Sequence, residues 1–241
     1  MSIPLELVRD NARRVLERAQ EAAIRSGRSG DAVTVVAASK TNGRDAIRAA
    51  YEGGIRTFGE NRVQELTEKR AQGAYEGAGI QLLGRLQKNK VKYVAGQVEL
   101  IHSVDSPELM EAISKRALSL GKVQDILIEV NIAAEEQKGG VPPERLEEIL
   151  ARAGENPGIR VAGLMTIPPA AAEKRENFRF FENMARLFVD MATKKYDNVI
   201  MQIMSMGMSR DFEDAILAGA TLVRVGTAIF GPRDYGRTED K

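Results

Sequence analysis

"AVTVVAASKTNGRDAIRAAYEGGIRTF" (residues 32–58) carries one complete β-α-β period. The apolar run at 32–38 reads as a buried strand. Over 44–54, Ala46, Ile47, Ala50 and Tyr51 share one helical face, and the glycine pair that follows can end the helix. Residues 55–58 then supply a second apolar run. Between the first strand and the helix the chain reaches Lys40 and falls at once into turn residues.

The same alternation runs on to the far end. Apolar runs recur at 80–84 (IQLLG), 98–104 (VELIHSV), 123–131 (VQDILIEVN), 160–166 (RVAGLMT), 199–205 (VIMQIMS) and 221–226 (TLVRVG), bringing the count to eight. Repeated β-α units with eight strands predict a (β/α)8 TIM barrel; the alternative, an open doubly wound sheet, is disfavoured by that count. A long amphipathic stretch from about Pro4 to Ser26 precedes the first strand, and only about fifteen residues follow the last one. An extra N-terminal helix is therefore expected to cover the gap that a full final helix would fill. No composition break divides the chain, so a single domain over 1–241 is expected.

Composition narrows the function. The chain has 35 basic and 34 acidic side chains, which excludes the one-sided positive field of a nucleic-acid binder. It has no cysteine and one histidine, which removes thiolate metal sites and a cysteine nucleophile and weakens zinc and triad chemistry. No run approaches the ~20 apolar residues of a membrane span, and the N-terminus lacks a signal-peptide core. A cytoplasmic protein without a membrane partner is expected.

Strand parity gathers the chemistry. Side chains of a barrel strand alternate between the helix-facing side and the interior, and the helix-facing set should be apolar. Thr34, Val36, Ala38 and Lys40 oppose Val33, Val35 and Ala37; Leu127, Glu129 and Asn131 oppose Ile126, Ile128 and Val130; Leu222, Arg224 and Gly226 oppose Val223 and Val225. The interior thus collects Lys40, Glu129, Asn131 and Arg224 toward the C-terminal strand ends, where active sites of this fold lie. Glu129 and Arg224 also fit a buried ion pair. His102 is read as a packed residue with no role.

A second signal concerns phosphate, which this fold holds with the loops after strands seven and eight. After the seventh comes "SMGMSRD", where Gly207 permits close approach and Ser209 can cap the following helix to about Ala218. After the eighth come Gly226 and Thr227, whose amides and hydroxyl suit a dianion at a helix start. A lysine facing a phosphate cradle fits either a Schiff-base aldolase for phosphosugars or a pyridoxal 5'-phosphate (PLP) site. Arg224 favours PLP, because a guanidinium that keeps its proton can donate to an unprotonated pyridine nitrogen.

The motifs "ASKTNG", "FGENRVQE" (58–65), "LLGRLQKNKVK" (82–92), "VNIAAEEQKGG" (130–140), "GLMTIPP" (163–169) and "SMGMSRDFEDAILAGATLVRVGTAIFGPRDY" (205–235) together resemble the pyridoxal phosphate homeostasis protein family over almost the whole chain. The resemblance implies a barrel of the alanine racemase N-terminal domain type that binds PLP and has no established turnover. It implies Lys40 as the residue forming the aldimine, Asn61 near the cofactor, and Ser209, Gly226 and Thr227 around the phosphate. Arg224 would face the ring nitrogen, and Ser205 would be a further phosphate contact. The sequence departs from the family pattern at Gly43, where proline is common, at Arg62, where an aromatic is frequent, and at Gln81, where a histidine often stands. The implied role is PLP homeostasis: buffering PLP and passing it to apo-enzymes, with the chain a monomer or weak dimer. The alternative is a weak PLP-dependent amino-acid racemase or related enzyme. Racemases of this type pair the lysine with a tyrosine from an extra β-domain; no such domain is expected in this sequence, and Tyr235 is the only tyrosine placed near the mouth.

Overall fold

The computed structural model describes residues 3–135, 137, 139–169 and 174–232, the side chains of 174–176 excepted. Eight parallel strands close into a barrel in chain order: β1 (Thr34–Ala38), β2 (Thr57–Glu60), β3 (Gly79–Leu82), β4 (Leu100–Val104), β5 (Gln124–Glu129), β6 (Ile159–Met165), β7 (Val199–Met208) and β8 (Leu222–Val225). Closure comes from β1 pairing with β8, where Val36 lies opposite Arg224 and Ala37 opposite Val225. The barrel expectation holds and the open sheet does not. Around it lie α1 (Leu5–Arg25), α2 (Arg44–Glu52), α3 (Val63–Ala71), α4 (Pro107–Ser119), α5 (Leu146–Ala151), α6 (Lys174–Thr193), α7 (Phe212–Leu217) and α8 (Thr227–Phe230). Between β3 and β4 the connection is a 3-10 turn, Lys88–Tyr93.

The expected parity is what the barrel uses. Val36, Ala38, Leu83, Leu100, Leu127, Ala162, Met165 and Leu222 form one apolar cluster inside the barrel. Val35, Ala37, Phe58, Ile126, Ile128, Val223 and Val225 belong to the larger cluster between strands and helices. Two faces of each strand are thus buried, which is why the strands read as continuous apolar runs.

The N-terminal helix lies where the short C-terminal side leaves room, packing on α2, α7 and α8. Its inward stripe is Val8, Ala12, Val15 and Ala19, small residues that allow a close approach. Gly53 completes that contact, since a Cβ there would lie 2.6 Å from the Arg9 carbonyl oxygen. Arg28, just past α1, donates to the carbonyls of Ile216 and Ala220 at the end of α7, at 2.6 and 2.8 Å. The Ile216 carbonyl also accepts from the Gly219 amide at 2.9 Å, and the guanidinium ties this helix end and the turn after it to the end of α1.

All eight strands lie on the expected runs with ends shifted by up to three residues, and two of the shifts have a visible cause. β2 starts at Thr57 rather than Ile55, because Ile55 is spent packing beneath the strand. β7 continues to Met208, past a register shift between Ser205 and Met208, instead of ending at Ser205. Gly207 makes the continuation possible: its φ is +90° and a Cβ would sit 2.5 Å from that of Ala215.

Gly163 sets a stricter condition on the sheet. A Cβ there would come within 1.9 Å of the Ile203 carbonyl oxygen on β7, which is backbone and cannot step aside, and its φ is +152°. Gly121, at φ +65° with nothing within 4 Å, has only its conformation to protect. Gly163→Ala should lower unfolding free energy by about 3 kcal/mol, against about 1 kcal/mol for Gly121→Ala. Denaturant unfolding of the two variants checks this; equal losses would contradict it.

Candidate functional site

Lys40 follows β1 by two residues and has left-handed backbone, φ 36°, a conformation that a residue with a side chain rarely adopts. Such outliers gather at functional sites. Because β1 and β8 are neighbours, the lysine shares a seam with Gly226, whose own Cβ position would lie only 3.3 Å from the Ala38 carbonyl oxygen. Lys40 and the loop after β8 therefore meet at the C-terminal mouth of the barrel.

Ser209 does not cap the helix after β7. Asp211 is the residue preceding α7, and its side chain does not cap the helix either: its carboxylate accepts from the Met208 amide at 2.7 Å and from Asn177 Nδ2 at 2.8 Å. The Ser209 hydroxyl oxygen instead accepts from the amides of Gly226 and Ala228, at 3.0 and 3.2 Å, and so holds the start of α8. The structure brings Ser209 and Gly226 together, with Thr227 exposed between the two donating amides. The Ala228 amide escaped the sequence reading; its signal is positional, because the amides of a first helical turn point the same way.

Arg224 is buried inside the barrel. It donates from Nη1 to Ser205 Oγ at 2.5 Å and from Nη2 to the Thr166 carbonyl at 2.9 Å. Burial lowers its pKa to about 10, while Glu129 and Asp211 act in the opposite direction, so it stays protonated at neutral pH. Ser205 in turn lies 3.1 Å from His102 Nδ1, and His102 Nε2 lies 2.8 Å from Gln81 Oε1. The donors follow from chemistry. Gln81 Oε1 can only accept, so the neutral ring carries its proton on Nε2 and donates there; Nδ1 is then an acceptor, and the Ser205 hydroxyl donates to it while accepting from Arg224. Burial, helped by the Arg224 charge, holds His102 well below its ordinary value of 6.5. A polar bar from β8 and β7 to β4 and β3 thus crosses the barrel interior.

Ser205 is accordingly placed deep, beside Arg224, and away from the amides around Ser209. His102, given no role from sequence, joins the two halves of the bar; its interior parity with Leu100 was the available signal. Glu129 and Arg224 form no ion pair and act on each other through space. Burial first, then Asp105, pushes the Glu129 carboxyl up. Asn131 closes the loop after β5, donating to the Glu135 carbonyl at 2.9 Å and accepting from its amide at 3.2 Å, so parity alone misplaced it in the site. Asn61 is exposed just past β2, with its carbonyl against Gly84. Tyr235 lies outside the described residues.

A barrel whose first strand ends in a lysine, with a charged arginine on its floor, defines a class. Residues 5–234 match the family of the alanine racemase N-terminal domain. Within that class, the chain belongs to the pyridoxal phosphate homeostasis protein family. The pyridoxal phosphate homeostasis protein of Aquifex aeolicus is 47% identical over 224 residues, covering 92% of this chain and 96% of that one. A protein of unknown function from Bifidobacterium adolescentis superposes with a TM-score of 0.87 at 35% identity, over 94% of this chain and 95% of the other. PipY of Synechococcus elongatus, solved with PLP bound, gives 0.77 at 32% identity, over 89% of this chain and 99% of its own.

The His102 environment carries a pH signature. The folded value lies below the unfolded one, so as pH falls past about 6.5 the unfolded chain takes up a proton that the folded chain refuses. This group should then cost ~1.4 kcal/mol of stability per pH unit, down to the folded value. Glu60 and Glu129, both raised, contribute with opposite sign. The direct check is NMR of the sole histidine, whose ring signals should stay fixed between pH 7 and 5.5; titration near 6.5 would contradict the assignment.

Proposed function

We propose that the protein binds PLP at the C-terminal mouth of the barrel, captures it covalently at Lys40, and so buffers the free cofactor and passes it to apo-enzymes in the cytoplasm. The observation that carries this reading is the seam between β1 and β8, where Lys40 stands beside two amides that already converge on one oxygen. Convergent main-chain N–H groups are the usual means of holding a phosphate oxygen. The residues fit the cofactor at its other end too. Arg224 keeps its proton and has further N–H donors beyond the two in the bar, which suits a pyridine nitrogen that is to remain unprotonated.

Within this reading, Ser209, Gly226, Thr227 and the Ala228 amide hold the phosphate, and Arg224 faces the ring. Ser205 positions Arg224, and Asn61 borders the site from the end of β2. PLP supplies a reactive aldehyde; Lys40 supplies the amine that masks it. The bar fixes the guanidinium and keeps the His102 ring neutral, so the floor of the site presents one cation and no second titrating group near pH 7. Family membership supports the homeostatic role, since the Aquifex relative bears that name and PipY has been solved with PLP. Among the described residues no helix is long and apolar enough to cross a membrane.

Borohydride reduction in the presence of PLP, followed by peptide mapping, should place the label on Lys40; label spread over surface lysines would overturn the assignment. Lys40→Ala should lose the label and still bind PLP reversibly through its charge-assisted hydrogen bonds, each worth roughly 1.5–3 kcal/mol. Ser209→Ala with Thr227→Ala should instead leave Lys40 reactive and raise the dissociation constant about 10-fold or more. Pyridoxal, which lacks the phosphate, should bind the native protein as weakly as PLP binds that double variant. Equal affinity for PLP and pyridoxal would remove the phosphate cradle.

A further inference from the structure

On the outer side of the barrel rim, behind Lys40, lies a buried polar cluster that the cofactor site leaves unused. Glu60 ends β2 on the helix-facing side and is fully buried. Its Oε1 accepts three hydrogen bonds, from Ser39 Oγ at 2.5 Å, Lys69 Nζ at 2.7 Å and Tyr75 OH at 2.7 Å. Its Oε2 is buried with no hydrogen-bond partner among the described residues. Burial pushes this carboxyl up, and the donors, Lys69 foremost, pull it back. Lys69, on α3 with its side chain only 10% exposed, makes two more contacts: Nζ lies 3.9 Å from Glu65 Oε2 and donates to the main-chain carbonyl of Lys40.

That carbonyl belongs to the residue with φ 36°. Left-handed backbone at a side-chain-bearing residue persists only where the surroundings over-determine it. Here they do so from both sides. The Ser39 amide donates to the Gly59 carbonyl at 3.0 Å, and the Asn42 amide and side chain both return to the Ser39 carbonyl, at 2.8 and 2.9 Å. The Lys69 ammonium then fixes the peptide that follows. Rotation of the backbone at residue 40 would carry its carbonyl and its side chain together.

We infer that Lys69, held in place by Glu60, is a positioning residue for Lys40: it pins the backbone of residue 40 so that the amine meets the cofactor aldehyde from one orientation. The inference rests on the reading of Lys40 as the capturing group. Capture joins the Lys40 nitrogen to the aldehyde carbon and releases one water, the amine having given its proton to solvent. Lys69 and Glu60 exchange no atoms in it and act through the main chain alone.

The test compares Lys69→Met/Glu60→Gln with the native protein. Removing both charges at similar volume takes the buried pair out together, and Glu65, which also faces Lys69 at 3.9 Å, is partly exposed and keeps Arg62 at the same distance. Circular dichroism and thermal melting establish the fold. The rate at which borohydride-fixable label accumulates on Lys40 after mixing with PLP then reports positioning, and the same pair of substitutions in a Lys40→Ala background reports non-covalent affinity. The capture rate should fall about tenfold or more, the loss expected when a reacting group is displaced, while the non-covalent dissociation constant stays within about twofold. Lys69→Arg, which retains the donor, should recover most of the rate; a merely structural charge pair would show no such split and no such rescue. A folded double variant that captures PLP at the native rate overturns the inference. Should that variant fail to fold, Ser39→Ala removes a single bond to Glu60 and should slow capture about threefold; an unchanged rate there also overturns it. If the native protein itself takes no label at Lys40, the functional reading has failed, before any variant is compared.

Discussion

A guanidinium enclosed in the middle of a β-barrel imposes conditions on everything around it. Taking such a charge out of water costs several kcal/mol unless its donors are met. The interior of this fold is ordinarily filled by layers of apolar side chains, so one layer must give way. The Arg224 side chain donates to the Ser205 hydroxyl and the Thr166 carbonyl. Burial and the nearby guanidinium keep His102 a neutral ring, and between Gln81 Oε1 and Ser205 it donates to the first and accepts from the second. One charge on β8 decides the identity or orientation of groups on β7, β6, β4 and β3. The apolar packing of the barrel is built around that line.

The fold was open to reading because its signal is local and repeated. Each strand is buried on both faces, so each leaves an apolar run in the sequence; the count of eight then selects a closed barrel. Parity placed Arg224 inside the barrel, where it is buried and bonded to Ser205 and Thr166, because it lies within a strand. It failed at Asn131, which stands beyond the end of β5, where the loop takes its side chain. Ser209 was assigned to the right neighbourhood with the wrong partner, since its hydroxyl bonds the amides at the start of α8 and only three-dimensional contact decides that. Glu60 and Lys69 were missed for a related reason. They are 9 residues apart, their bonds to Ser39, Tyr75 and Lys40 span 21, 15 and 29 residues, and no periodicity links them. A trace was nevertheless present: Glu60 falls on the parity of Phe58, a carboxylate where the helix-facing side calls for an apolar residue.

The mouth of the barrel divides its labour between two shells of different character. Inside, the bar offers a fixed cation and fixed dipoles in a dry setting, where electrostatic preorganisation has most effect. Outside, the cluster around Glu60 acts on the main chain of the strand end. Between them lies the short path from β8 to α8, where amide groups rather than side chains make the polar surface. Each shell uses a different part of the chain, so a change in one need not disturb the others. Relatives over nearly the full chain share the barrel, in keeping with a site whose parts are distributed across all of it.

The first helix has a consequence for the order of assembly. The apolar stripe of α1 finds its partners on α2, α7 and α8, and Asn11 reaches the Ile229 carbonyl 218 residues onward. On the ribosome, α1 is therefore made before all of these partners. α2 follows it early, but until the chain has reached α7 and α8 part of the α1 stripe of valine and alanine stays uncovered, and the closing seam cannot form. Contacts of such long sequence separation are slow to form and leave apolar surface exposed meanwhile. The seam that brings Lys40 beside Gly226 forms only once β8 has been made. A nascent or partly unfolded chain would carry the lysine long before it carried the seam that the lysine borders.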